Sequence, residues 1–365
     1  MRHVLLTGFP GFLAGVLLER LVHKMERATL LVEEKFLEAA QNRLQELVRV
    51  QGSSAEAIEV ISGDITRPDL GLDDSVAQRL LEEVDTVFHL AALYDLAVEK
   101  DLAHRVNVDG TRFVGDFLVR IQNPVRYHYV STVVVAGRRT GRVAEDELEH
   151  SCGFHNYYES TKHEAEVLVR SLSREASLST SIYRPGSVVG CSRSGWTTKY
   201  DGPYIALKTL LKMPWPLHRW NHGACDVPFL GVPVDFIADA ISALASRPQK
   251  ELCTTYHLTD PDPPKLNETW DLFSQELLGH RSRGQVPEWI LRLSLRVGFP
   301  QLLGLPSSMA PYLHHRCEFD CSNTLRDLDG TGIVCPSFEE YVEVMVRYFR
   351  DHREPGVRPK TVTIS

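Results

Sequence analysis

Short apolar runs alternate along the first half of the chain with stretches whose apolar residues recur every three to four positions. "HVLLT" (3–7) reads as a buried strand, and "GFLAGVLLERLVHKM" (11–25) follows it with apolar residues at helical spacing. "ATLLV" (28–32) predicts a second strand and "LEAAQNRLQELVRV" (37–50) a second helix. Strand patterns continue at 57–64, 84–92, 126–137 and 179–190. Near-continuous apolar strands separated by helices predict a parallel sheet covered on both faces, the doubly wound α/β architecture. After Pro185 the texture changes. Residues 186–232 carry Gly, Pro, Trp and Lys without a regular period, "VDFIADAISALAS" (234–246) predicts a helix, and "TTYHLTD" (254–260) predicts one more strand. The remainder, to about His352, reads as helical and rich in proline. The division expected is a sheet domain over 1–185 and 233–260, a smaller, mostly helical region over 186–232 and 261–352, and a loose tail over 353–365.

Composition narrows the class. Of the 365 residues, 43% are hydrophobic and 24% charged, enough for a large core. The net charge of -8 is spread over mixed signs, with no basic run to suit nucleic acid. Seven scattered cysteines, an odd number, read as reduced thiols. The amino terminus runs directly into the first strand, leaving no room for a signal peptide. The apolar stretch 286–305 is broken by Arg292, Arg296, Gly298 and Pro300, too interrupted to span a bilayer, and reads as a buried helix rather than a membrane contact. A cytoplasmic location is the expectation.

The first candidate site is "TGFPGFLA". Gly8 and Gly11 stand between the first strand and the first helix, with Ala14 at a third small position. A tight turn needs glycine where φ is positive, and close backbone approach lets N–H groups and a helix N-terminus face a pyrophosphate. A glycine turn after a strand is often only a turn, but the strand–glycine–helix context favours dinucleotide binding. Thr7, Phe9, Pro10, Phe12 and Leu13 complete that segment. Asp64 with Ile65, after the third strand, falls where adenine should lie; a plain turn aspartate is the alternative. At the end of the second strand, Glu33 favours a free ribose 2′-hydroxyl, whereas Lys35 or Arg43 suits a 2′-phosphate. The residues leave NAD and NADP both open.

The second candidate site is "NYYESTKHEAE" (156–166). Tyr158 and Lys162 are four apart and share a helical face. Tyr157 lies about 140° around the helix from Lys162. An ammonium near a phenol favours the ionised form, moving its pKa from about 10 toward working pH. Such a phenol donates a proton to a carbonyl oxygen as hydride arrives. Ser131 and Thr132, in "YVSTVVVAG", supply candidate hydroxyls for that oxygen.

Taken together, "TGFPGFLA", "HLAA" (89–92), "NVDGT" (107–111), "YVST" (129–132), "YYESTK" (157–162) and "YRPGSVVG" (183–190) resemble the extended short-chain dehydrogenase/reductases, with their Rossmann fold. The resemblance implies Tyr158 as the acid, Lys162 as its lysine and Thr132 as the carbonyl-binding hydroxyl, with Ser131 second. It places Pro185, Gly186 and Val188 beside nicotinamide, has His89, Leu90, Ala91 and Ala92 lining the cofactor, and makes Asn107 a brace. "STKHEAE", "YRPGSVVGCSRSG", "KYDGPY" and the late "FDCSNTLRDLDGTGIVCPSFEEYV" look closer still to bacterial fatty acyl and thioester reductases. The resemblance therefore implies an NAD(P)H-dependent reductase of a hydrophobic carbonyl, a fatty aldehyde or acyl thioester. NADPH is expected from those relatives, but Glu33 stands where they often carry arginine. The alternatives are a dehydrogenase or epimerase of a sterol-like or nucleotide-sugar hydroxyl, and a non-catalytic dinucleotide sensor.

For the substrate, Tyr94, Val133, Tyr157, Trp196, Tyr204 and Trp220 are the candidate contacts, and Lys199, Lys208 and Lys212 are candidates to steer coenzyme A or an acyl carrier protein. Ordinary core tryptophans and solvated lysines are the competing explanation. A homodimer is one option for the assembly. "HHRCEFDC" (314–321) lacks a second ligand pair at zinc spacing, and no metal is expected.

Overall fold

The computed structural model describes residues 1–365 except 53–56, 216, 288, 291–292, 294–297, 299–304, 353–354 and 356–365. The tail expected over 353–365 (Pro355 apart) and much of the apolar stretch 286–305 therefore lie outside the described residues.

The apolar runs form strands β1 (His3–Thr7), β2 (Arg27–Val32), β3 (Ile58–Ser62), β4 (Thr86–His89) and β5 (Arg126–Val130). Short β6 (Gly141–Val143) lies off the main sheet, and β7 (Ser179–Pro185) returns to it. The helices between them are α1 (Phe12–Leu21), α2 (Leu37–Gln51), α3 (Asp74–Glu83), α4 (Lys100–His104), α5 (Gly110–Leu118) and α6 (Tyr157–Glu175). Beyond them come β8 (Ser187–Val189), α7 (Tyr204–Lys212), β9 (Trp220–Asn221), β10 (Gly231–Pro233), α8 (Val234–Ser246) and β11 (Cys253–Leu258). The chain ends with α9 (Leu266–Leu278), β12 (Gly284–Gln285), β13 (Cys317–Phe319), α10 (Ser322–Leu328) and α11 (Phe338–Asp351).

Seven strands form one parallel sheet in the order β11-β7-β5-β4-β1-β2-β3. This is the doubly wound, Rossmann-type architecture that the alternating pattern predicts. Buried residues of α1 and α8, such as Leu17, Leu21, Ile237 and Ile241, close one face. Residues of α3, α5 and α6, such as Leu80, Phe117 and Val169, close the other. The strand order reverses between β1 and β4, where a crevice opens outside the carboxyl ends of the strands. Register places Thr7 opposite His89 and His89 opposite Tyr129, so the ends of β1, β4 and β5 lie side by side there.

Two expected strands are shorter than their apolar runs. The run 126–137 leaves the sheet after Val130, and Val133–Ala136 form a 3-10 turn that Thr132 caps through its own side chain. The run 179–190 divides at Gly186: β7 stays in the main sheet, while β8 pairs with β10. A Cβ on Gly186 would lie 2.4 Å from the Leu230 carbonyl oxygen, so only glycine lets the chain pass between the two sheets. Beyond the sheet, α7, α9 and α11 share a cluster including Leu207, Phe273, Phe338 and Met345.

Candidate active site

The glycine turn has the geometry that a dinucleotide needs. Gly8 has φ +92, and a Cβ there would lie 2.7 Å from the Ala91 amide nitrogen. At Gly11 a Cβ would meet the Gly8 carbonyl oxygen at 2.6 Å. Gly11 is the N-cap of α1, with no side chain capping the helix and no acid in its first turn. Those N–H groups and the helix dipole face the crevice, a cradle that suits a pyrophosphate. Ala14 is buried where α1 meets the sheet.

Behind the turn, buried polar groups lock the strand ends together. The Thr7 hydroxyl lies 2.8 Å from His89 Nδ1 and accepts from the Ala91 amide at 3.2 Å. His89 Nε2 meets Thr111 Oγ1 at 3.2 Å, and Thr111 donates to the Asn107 carbonyl. Burial first, then Lys162, pushes the His89 pKa down to about 3, so the ring is neutral and hydrogen-bonds at both nitrogens. Asn107 sits in a π-helical turn between α4 and α5, accepts from the Leu93 amide and donates to Thr161 on α6. It thus ties the loop after β4 to the helix carrying Tyr158 and Lys162.

That helix starts at an Asn156 cap, whose Oδ1 accepts from the Glu159 amide at 3.0 Å. Tyr158 is 7% exposed and faces a large cavity; Tyr157 is 48% exposed and is not part of the cavity lining. The cavity, about 1260 Å³, begins at Gly11, Phe12 and Leu13 and passes Tyr158, Lys162, Thr132, Pro185 and Gly186. It continues between Val188, Met213, Leu217, Trp220, Phe229 and Ile290. Leu90, Ala92, Tyr94 and Val133 also line it.

The expectation that Lys162 lowers the Tyr158 phenol is corrected by this geometry. Burial pushes that phenol well up, Tyr94 adds to the rise, and a hydrogen bond with Thr132 only offsets part of it. The Lys162 ammonium instead donates to the Tyr129 hydroxyl at 2.8 Å and the Val130 carbonyl at 2.9 Å, over the Tyr129 ring. Its own pKa falls to about 7 through burial, with Glu166 opposing the fall. Protonated Lys162 would be the form that attracts an anionic nucleotide, and that form is lost as pH rises through that value. The kcat/KM for the nucleotide, which reports the free enzyme, should therefore decline on the alkaline side of about 7. A profile flat across that value counts against this role.

The two candidate hydroxyls separate. Ser131 donates to Glu166 at 2.6 Å, and Glu166 is fully buried against Arg184. Thr132, 7% exposed, stays on the cavity wall and only weakly accepts from the Val134 amide at 3.4 Å.

Other candidates spread out. Trp196 is buried, edge-on to Phe12 at 5.1 Å, with the Arg43 guanidinium over its ring, so it belongs beside the glycine turn rather than in the cavity lining. Tyr204 is 1% exposed and accepts from the Gly190 amide, a packing role that its burial among Tyr200 and Phe349 explains. Asp64 accepts from the Thr66 amide and hydroxyl, shaping the turn after β3, and Ile65 packs over Gly110. Lys35 pairs with Glu33 at 2.7 Å. Lys199 lines the cavity, Lys208 donates to the Tyr200 carbonyl, and Lys212 is exposed at the end of α7. Cys317 is buried in β13, which pairs with β6, and among the described residues no group of three or more His, Cys, Asp or Glu is placed to hold a metal. All seven cysteines are free. No described helix is long and apolar enough to cross a membrane.

One contributor to the cavity wall comes from far along the chain. Tyr312 accepts from Asn156 Nδ2 at 2.9 Å and donates to Glu159 at 2.5 Å, so residues 307–314 are strapped to the cap of α6. It lies in a proline-containing stretch without helical period, which carries no local signal for this contact.

The NAD-binding family described as male sterility protein matches residues 6–241. The chain belongs to that family. As a member it is an NAD(P)-binding reductase of the extended short-chain dehydrogenase/reductase type. The terminal R domain from the myxalamid PKS-NRPS biosynthetic pathway is similar at 30% identity and TM-score 0.81, covering 98% of this chain and 93% of that one. An isonitrile lipopeptide synthase of Mycobacterium tuberculosis is 28% identical over 335 residues, 82% of this chain. A carboxylic acid reductase of Segniliparus rugosus is 29% identical over 275 residues, 67% of this chain. The chain spans 13% and 23% of the lengths of those two proteins.

Proposed function

We propose that this chain reduces the carbonyl of a long-chain acyl thioester, releasing an aldehyde and a thiol, with fatty aldehydes as a second substrate class. The observation that carries this reading is the cavity itself. Tyr158 and Thr132 line it, and so do Met213, Leu217, Trp220, Phe229 and Ile290, apolar wall suited to an alkyl chain.

Bound NAD(P)H supplies hydride. The chain's residues do the rest. The glycine turn would hold the pyrophosphate, Lys162 the ribose hydroxyls, and Pro185 with Gly186 would flank the nicotinamide. Thr132 donates to the carbonyl oxygen and the neutral Tyr158 phenol delivers the proton that this oxygen gains. The carbon takes hydride to give a hemithioacetal; as the carbonyl re-forms, the C–S bond breaks and the hydroxyl proton passes to sulfur, which leaves as thiol. A reducing enzyme needs its acid protonated at rest, and the raised Tyr158 pKa serves that direction. Residues 1–185 and 233–260 form the nucleotide-binding part in this reading, and 186–232 with 261–352 the substrate part. Exposed Lys212 and cavity-mouth Lys199 would meet a phosphopantetheine-bearing carrier or coenzyme A. The relatives named as a carboxylic acid reductase and a lipopeptide synthase support the acyl assignment.

The test supplies purified chain with NADH or NADPH and acyl-coenzyme A or acyl carrier thioesters of increasing length, trapping aldehyde. Turnover should rise with chain length. Turnover of nucleotide sugars and not of acyl compounds would sink the proposal. Trp220→Ala, which removes apolar wall at the outer cavity, should cut kcat/KM for long chains about tenfold and leave short chains nearly unchanged.

A further inference from the structure

Resting on the reductase reading, we propose that Glu33 makes this chain selective for NADH over NADPH. The ribose nearest adenine meets the end of β2 in this architecture. β2 ends at Val32, and Glu33 follows in extended conformation as the cap of a short 3-10 turn, with its side chain 47% exposed. A carboxylate there accepts hydrogen bonds from free 2′- and 3′-hydroxyls and repels a 2′-phosphate.

Two cations near this rim, Lys35 and Arg43, are both paired with carboxylates. The Lys35 ammonium lies 2.7 Å from Glu33 Oε1, so binding the phosphate would require breaking that pair. The Arg43 guanidinium donates to Glu19 at 2.7 Å and to Glu46 at 3.0 Å, and lies 5.4 Å above the Trp196 ring. Glu19 is 8% exposed, so withdrawing Arg43 would take a charged partner from a buried carboxylate. Between 33 and 46 the chain carries Glu33, Glu34, Glu38 and Glu46 against Lys35 and Arg43. A doubly charged phosphate entering this rim meets a net negative field. NADH brings no such charge.

The test measures binding rather than turnover. Full-length chain is titrated with NADH and NADPH, and separately with 5′-ADP and 2′,5′-ADP, following tryptophan quenching or heat at low salt. The expected Kd for NADH is about tenfold or more below that for NADPH, with the same order for the two fragments. Glu33→Gln should narrow the ratio by removing repulsion without adding a cation. Glu33→Arg should invert it. Because Glu33 is exposed, neither change endangers the fold. NADPH binding as tightly as NADH in the wild type, or a ratio indifferent to Glu33→Arg, overturns the proposal while leaving the reductase reading intact. Binding of neither dinucleotide overturns both.

Discussion

Tyr158→Phe is expected to lower kcat by a factor of roughly 10² to 10⁴, the range that a positioned general acid contributes. The change removes one hydroxyl and keeps the ring, which packs with Val98 and Ala103 and lies edge-on to Tyr94 at 5.2 Å. The fold and nucleotide affinity should therefore survive, and the loss should fall on kcat. Tyr157→Phe should change kcat by less than about twofold, because that side chain is half-exposed and outside the cavity lining. Steady-state rates of both variants, with circular dichroism and nucleotide titration as controls, check the pair. Comparable rates for the two would remove Tyr158 from the chemistry.

The largest expected effect on stability is at Arg184. Its guanidinium is 1% exposed and donates to fully buried Glu166 at 2.6 Å, to the Glu147 carbonyl, and to His257 Nε2 at 3.0 Å. Burial alone would raise the Glu166 carboxyl; Arg184, Arg170 and Ser131 together hold it down at about 2. Arg184→Met would leave that carboxylate buried with Arg170 and the Ser131 hydroxyl but without its most buried cation, at a cost of about 3–5 kcal/mol. Urea unfolding should show this as a lower midpoint, and the double change Glu166→Met with Arg184→Met should recover much of it. The sign with pH follows from the lowered carboxyl. Its stabilisation is complete above the unfolded carboxyl's value near 4.5 and drains away as pH falls toward 2. A wild-type midpoint unmoved by Arg184→Met would show that the pair contributes little. The pair also bears on the site, since Glu166 anchors Ser131, the neighbour of Thr132, and Arg184 precedes Pro185 and Gly186.

Much of this molecule can be read from local pattern alone. Strand–helix alternation determined the parallel sheet, because both faces of a doubly wound sheet must be apolar. The glycines of "TGFPGFLA" determined the turn, because no other residue fits a φ of +92 with Ala91 only 2.7 Å from the missing Cβ. The four-residue interval determined that Tyr158 and Lys162 share a face. Each of these follows from steric or periodic rules acting over a few residues. Tertiary structure decided what such rules cannot reach. It turned Ser131 toward Glu166 and left Thr132 on the cavity wall, and gave the Lys162 ammonium to Tyr129 and Val130. It sank Tyr204 into the packing of α7 and α11, set Trp196 beside the cofactor turn and Trp220 on the cavity wall, and brought Tyr312 to the cap of α6. For Ser131, Lys162 and Tyr312 the outcome depends on which partner, tens or hundreds of residues away, satisfies the polar group; for the tryptophans it depends on which distant surfaces pack around the ring.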